Sequence, residues 1–259
     1  MPMDGSTTSN APGRAEIATL AGTVVSLLNG ATPRRAATRV EAGAQILYDA
    51  TRPGLPFAAT PTLAQLHALG LGAADIVDGC IPAAARRLGS DWLGDRLGFA
   101  DVSIASARLQ GLLPQLSPPG GPDGAALDEV RTALIVLAPD DTHTLGVHVA
   151  AAQLRRAGVS VAILFGPDRA ALRDALARDD RDIVLFSCGL SERLPYITKM
   201  SAVLRDETDS GALSVLGGNV LDRHDDLGER TGVDLVTNDV RAALAMHGAA
   251  SGSPVRSRR

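Results

Sequence analysis

The chain is poor in four things. It has two cysteines, Cys80 and Cys188, far apart and in no metal-type spacing. That excludes a disulfide framework and a zinc cluster built from paired Cys-x-x-Cys motifs. Aromatic residues make up only 3% of the chain. Alanine and leucine dominate instead, which favours helix-rich architecture. No run of about 18 apolar residues occurs, so no membrane-spanning helix is expected. The amino-terminal "MPMDGSTTSNAPGRAE" has no apolar core of the signal-peptide kind, and a cytoplasmic protein is expected. Nor is there an excess of positive charge. The net charge of −4 argues against a dedicated nucleic-acid binder.

What is present divides into two halves. Residues 1–13 are rich in Ser, Thr, Gly, Pro and Asn and are expected to be disordered. From 14 to 116, helical patterns follow one another: "RAEIATLAGTVVSLLNG", "PRRAATRVEAGAQILYDA", "TPTLAQLHALG" with Thr60 as its cap, "AADIVDGCIPAAARRLGSDWLGD" with Pro82 as a possible kink, and "FADVSIASARLQGLL". These predict a helical bundle. Residues 117–129, "SPPGGPDGAALDE", crowd proline and glycine without apolar periodicity and read as a linker.

The rhythm then changes. "TALIVLAP" is a continuous apolar run, as a strand buried on both faces requires. Helical and strand patterns alternate after it, with strands in "VSVAILFG", "DIVLFS", "ALSVLGG" and "VDLVTN". Residues 130–249 therefore predict a five-stranded parallel α/β domain of the Rossmann-like, flavodoxin-like kind, with a flexible basic tail over 250–259.

In such a sheet, ligands gather beyond the carboxyl ends of the strands. His143 falls in the first of those loops. Taken alone it reads as a solvated loop histidine. Asp141, two residues earlier, is placed to accept a hydrogen bond from one ring nitrogen, as is usual for a metal-ligating histidine. Gly146 lacks a side chain where the next helix begins. Ser187 and Gly189 end the third strand, and Gly217 and Gly218 the fourth. Each glycine could be a plain turn; together they outline a slot open at the His143 edge. Trp92 reads, by itself, as a core aromatic. His148 falls inside the helix after His143 and is expected to be packed or solvated, and His224, after the Gly-Gly strand, is expected to be a solvated loop residue or else to reach the ligand edge. No Gly-x-Gly-x-x-Gly follows the first strand, which argues against a nicotinamide dinucleotide. No triad or carboxylate pair is convincingly spaced, so a non-enzymatic protein is expected.

Asp141-x-His143-x-x-Gly146, then Ser187, then Gly217-Gly218 resembles the cobalamin-binding domain of the methionine synthase and mutase type, whose pattern is Asp-x-His-x-x-Gly, Ser-x-Leu, Gly-Gly. Gly189 stands where that pattern has leucine. The resemblance implies cobalamin as cofactor, His143 as the lower axial ligand of cobalt, and a slot for the displaced base lined by the serine and the glycines. Residues 81–113 resemble the helical cap of methyl-carrier corrinoid proteins and of cobalamin photoreceptors. That implies that Trp92 covers the upper face of the corrin. In the carotenoid-gene photoreceptor a Glu-His pair follows this tryptophan; here Val102 and Ser103 stand at those positions. "FADVSIASARLQGLL" and "HTLGVHVAAAQLRRAGVSV" are similar to the AerR/PpaA antirepressors of purple photosynthetic bacteria. That implies a light- or cobalamin-responsive regulator of photosynthesis and tetrapyrrole genes, acting through a transcriptional repressor partner of the PpsR/CrtJ type. Two other readings stay open: a corrinoid methyl carrier serving separate methyltransferases, and a flavodoxin-like domain for another ligand or for protein alone.

Overall fold

A computed structural model describes residues 36–116, 131–208 and 210–251. The expected disordered segment 1–13, the first helix over 14–30, the linker and the tail from 252 on lie outside the described residues; 250–251, expected to begin the tail, continue the last helix.

The helical part contains α1 over 36–51, α2 (Ala59–Ala68), α3 (Ala73–Leu93) and α4 (Phe99–Leu116). Two details differ from the sequence expectation. Helix α2 starts two residues early, with Ala58 as its N-cap and no side-chain cap. Pro61 sits in the first turn, where an N–H has no partner within the helix, so its missing donor leaves no bond unmade. Pro82 neither ends nor splits α3. The helix widens into a π-turn over Ile76–Cys80 and resumes at Ile81, so the residue lacking an N–H falls where the regular ladder is already interrupted. Leu47, Leu66, Ile76, Ile81, Leu88, Leu109 and Leu112 fill the core of this cap.

Five parallel strands follow: β1 (Thr132–Leu137), β2 (Ser160–Phe165), β3 (Ile183–Ser187), β4 (Leu213–Gly217) and β5 (Leu235–Val236), in the order β2-β1-β3-β4-β5. Between and after them run α5 (Thr144–Arg156), α6 (Arg169–Arg178), α7 (Leu194–Asp206), α8 (Leu227–Thr231) and α9 (Val240–Ser251). The Asp168 carboxylate caps α6 by accepting the Ala171 N–H at 2.8 Å. The period-2 alternation of a strand explains the layers. Leu134 and Val136 of β1 pack with α6, α7 and α8 through Leu172, Ile197 and Leu227. Ala133, Ile135 and Leu137 face the other way, onto Val147, Ala151 and Leu154 of α5 and Ala243 of α9.

Helix α5 has two apolar faces. Val147, Ala151 and Leu154, spaced four and three apart, meet the sheet, while Val149 and Ala152 enter the cap core with Leu145 packed against it. The helix that begins just after His143 is thus the wall shared by cap and sheet. A polar tie supports it. Asp78, in the π-turn of α3, accepts from Arg156 at 2.6 Å and Gln153 at 3.1 Å, and Arg241 of α9 lies 3.6 Å from the same carboxylate.

Candidate functional site

The strand order reverses direction between β1 and β3, which leaves a crevice beyond their carboxyl ends. The register aligns those ends in one row: Leu137 lies opposite Phe165 and Ser187, and Ser187 opposite Gly217. The loops carrying His143, Gly189 and Gly218 therefore meet at one place, although 75 positions separate the first from the last.

After β1 the chain turns through Asp140, which has a positive φ of 58°. The next residue, Asp141, is the hub of the site. Its side chain is fully buried, at 0% exposure. Oδ1 accepts the His143 backbone N–H at 2.9 Å and lies 2.8 Å from His143 Nδ1. Oδ2 accepts the Gly189 N–H at 3.1 Å. Burial pushes the Asp141 carboxyl up, but the hydrogen bonds from the His143 ring, the His143 amide and the Gly189 amide outweigh it and hold the group below the usual carboxylate range. The bond to Asp141 raises His143, against burial and the nearby Arg223, which lower it. An ionised carboxylate facing Nδ1 requires the proton on that nitrogen. In the neutral ring the lone pair is then on Nε2, and the ring is 40% exposed.

The other strand ends are stripped down to backbone. Gly218 has φ 111°, and a Cβ there would stand 2.3 Å from the Cys188 carbonyl oxygen. Cys188 N–H donates to the Gly217 carbonyl at 2.9 Å, and Val220 N–H donates to the Cys188 carbonyl at 3.2 Å. Cys188 is buried, and that burial pushes its thiol up to about 11. A Cβ on Gly217 would meet the Thr237 carbonyl at 3.1 Å. By contrast, a Cβ on Gly146, in the first turn of α5, would meet nothing within 4 Å. The glycines expected to form one slot thus divide by role: 217 and 218 permit backbone to approach backbone, and 146 faces open space.

Two contributors, Asn238 and Arg223, escape the sequence reading, and a third, His224, makes more contacts than expected. Asn238, after β5, accepts the Gly218 N–H at 2.7 Å and donates to the Gly218 carbonyl at 3.4 Å; an amide at a strand's carboxyl end is the available signal. Arg223 faces His143 electrostatically. His224 is not simply solvated: its Nε2 lies 2.8 Å from Ser191 Oγ and its Nδ1 lies 3.3 Å from Arg230, which ties the loop after β3 to the loop after β4. His148 is half-buried on α5. It lines a cleft of about 570 Å³ between α4 and α5, with Gln110, Leu113 and Arg155 among the other walls.

On the cap, Trp92 is not a core aromatic. It is 45% exposed, pairs with Phe99 at 6.5 Å between ring centroids, and adjoins the exposed Leu93. Tyr48 and Arg96 both donate to Asp91, which pins this end of α3. Val102 packs against the cap core, and the Ser103 hydroxyl donates to the Phe99 carbonyl at 2.8 Å.

The donor set determines what kind of ligand suits the strand-end cluster. Among the described residues no group of three or more His, Cys, Asp and Glu side chains converges as a metal site. A single oriented imidazole fits a metal whose remaining ligands come with it, as in a macrocycle. The backbone-lined ends of β3 and β4 and the open space at Gly146 leave room beside that imidazole.

Comparison with known proteins agrees with this chemistry. The B12 binding domain family matches residues 131–245. An uncharacterized 20.5 kDa protein in the bchF-crtJ intergenic region of Rhodobacter capsulatus is 36% identical over 165 residues, which span 64% of this chain and 86% of the relative. Among solved structures, the monomethylamine corrinoid protein of Methanosarcina barkeri superposes with a TM-score of 0.62 over 81% of this chain and 96% of that one; at 15% identity this is a likeness of fold. A lone imidazole set at the switch point of this sheet, in a chain so related, has a plain meaning: the protein belongs to the B12-binding domain family, and its cofactor is cobalamin.

Proposed function

We propose that this chain is a cobalamin-dependent, light-responsive antirepressor that acts through a repressor protein rather than by catalysis. The observation that carries the cofactor half is the Asp141–His143 pair, an imidazole oriented by a buried carboxylate at 2.8 Å with no hydrogen bond to its other nitrogen among the described residues. The regulatory half is supported by the relative between bchF and crtJ and by the likeness of 99–113 and 143–161 to the AerR/PpaA antirepressors.

His143 would hold the cobalt of bound cobalamin through Nε2, and Asp141 would keep the proton on Nδ1. Ser187, Gly189, Gly217 and Gly218 line the space below, and Gly146 leaves the helix end open. Trp92 would cover the bound cobalamin from the cap, with Val102 and Ser103 on the helix that follows. Bound cobalamin supplies a cobalt centre whose upper ligand can be released by light. Helix α5 packs on both cap and sheet, so a shift of the cap repacks a surface that a partner can read.

A second reading, a corrinoid methyl carrier serving separate methyltransferases, is favoured by the fold shared with the monomethylamine corrinoid protein. One pair of measurements separates them. Binding of a PpsR/CrtJ-type repressor is compared in dark and light, and methyl transfer is assayed in parallel. A light-dependent change in repressor affinity supports the regulator. Methyl turnover with no effect of light or repressor overturns it in favour of the carrier. Equal hydroxocobalamin binding and identical absorbance spectra for wild type and His143→Ala would refute the axial-ligand assignment.

A further inference from the structure

We infer that Gly189 is a positioning residue for His143: the space where its side chain would be is the seat of the imidazole. A Cβ built on Gly189 would lie 2.7 Å from His143 Nδ1, 2.9 Å from Cγ and 3.2 Å from Asp141 Oδ1. Contacts below 3.0 Å are not tolerated between such atoms, so something must move. Gly189 is not in the left-handed region, so its backbone does not oppose a side chain; the ring does.

The loop is held by hydrogen bonds on both sides of Gly189. Cys188, just before Gly189, is held through its N–H on Gly217 and its carbonyl on Val220, and the backbone of Gly218 lies against it. Asn238 braces Gly218 in turn. The Gly189 N–H is bonded to Asp141, whose carboxylate is fully buried. Of the two side chains that the Cβ would meet, the Asp141 carboxylate is fully buried and the imidazole is 40% exposed, so the imidazole has the room to shift. With the loop held as it is in this chain, a side chain at 189 therefore displaces the ring and breaks the Nδ1 contact with Asp141. Position 189 thus sets where the ring sits and which nitrogen faces the ligand, and in this role it acts through His143. The cobalt consequence rests on the function proposed above; the seat in the ligand-free protein does not.

Two experiments on the full chain test this. The first is a stability cycle. Gly189→Ala is expected to lower the urea midpoint clearly in the wild-type background and much less in His143→Ala, where the ring is gone and the methyl has room. If Gly189→Ala alone does not fold, the double variant His143→Ala/Gly189→Ala is expected to fold. Equal losses in both backgrounds, or a double variant no more stable than Gly189→Ala, overturns the proposal. The second experiment follows the imidazole by long-range proton–nitrogen NMR at a pH where it is neutral. Wild type is expected to show the Nδ1–H tautomer, and any folded Gly189→Ala protein to lose it. An unchanged tautomer overturns the proposal. Hydroxocobalamin titration separates the two readings. With the seat confirmed, an affinity about tenfold lower in Gly189→Ala extends it to the cobalt ligand. With the seat confirmed and no hydroxocobalamin bound by wild type, the functional reading fails and the seat stands.

Discussion

Asp141 and Gly189 are 48 positions apart in sequence, yet the carboxylate of one accepts the amide of the other at 3.1 Å while its second oxygen holds His143. One buried side chain thus joins the loops that flank the switch point of the sheet, and it fixes the imidazole at the same time. The coupling of these jobs makes their loss measurable.

Asp141→Ala removes the acceptor for three N–H groups. Leaving the Gly189 and His143 amides without a partner costs about 1–3 kcal/mol of stability, to be read from urea unfolding. The imidazole also loses its orienting partner, so the affinity for hydroxocobalamin is expected to fall about 10- to 100-fold in an absorbance titration.

Gly218→Ala and Gly146→Ala should behave oppositely. At 218 a methyl meets the Cys188 carbonyl and the residue has φ 111°, so a loss above about 2 kcal/mol is expected. At 146 the methyl enters open space in a helix, so the ligand-free protein is expected to keep its stability or gain up to about 1 kcal/mol. The same methyl narrows the space beside His143, so hydroxocobalamin binding weakens. Paired unfolding and titration curves for the two variants check this.

Asp78→Ala cuts the tie between the π-turn of α3 and Arg156, whose Nη1 is buried and has no hydrogen-bond partner among the described residues. The pair is partly exposed, so a cost of about 1–2 kcal/mol is expected, between the values for surface and buried pairs. Hydrogen exchange is expected to quicken over Ala73–Leu93 and not in β1.

Burial, and then the neighbouring Arg155, lower the pKa of His148. In the unfolded chain the ring takes its ordinary value of about 6.5 and binds protons more readily than in the folded protein. Acidification through and below that value therefore favours unfolding, and the stability that His148 confers is present above it. His143 is shifted the other way, so the two partly offset each other. His148→Gln is expected to lose less stability than wild type when the pH falls from about 7.5 to about 5.5. A pH dependence identical in the two proteins would refute this.

The Asp141-x-His143 spacing is legible in the sequence because an Asx-type contact over two residues is local, and Asp168 at the start of α6 is legible for the same reason. Thr60 looks like a cap but is not one, because the first turn of a helix tolerates proline in more than one position. Trp92 taken alone resembles a core aromatic because apolar character says nothing about whether the cap has a layer to cover it.

By itself the sequence determined the alternation of strand and helix after residue 131, the two faces of β1, and the strand-end residues Asp141, His143, Ser187 and Gly217. All of these follow from periods of 2 and 3.6 residues or from contacts a few positions long. Only the tertiary structure decided which glycine does what. Gly189 and Gly218 look alike in sequence, yet one faces an imidazole from the loop after β1 and the other the backbone that follows β3. Those neighbours are set by parallel register across strands far apart in the chain, and no local pattern encodes them.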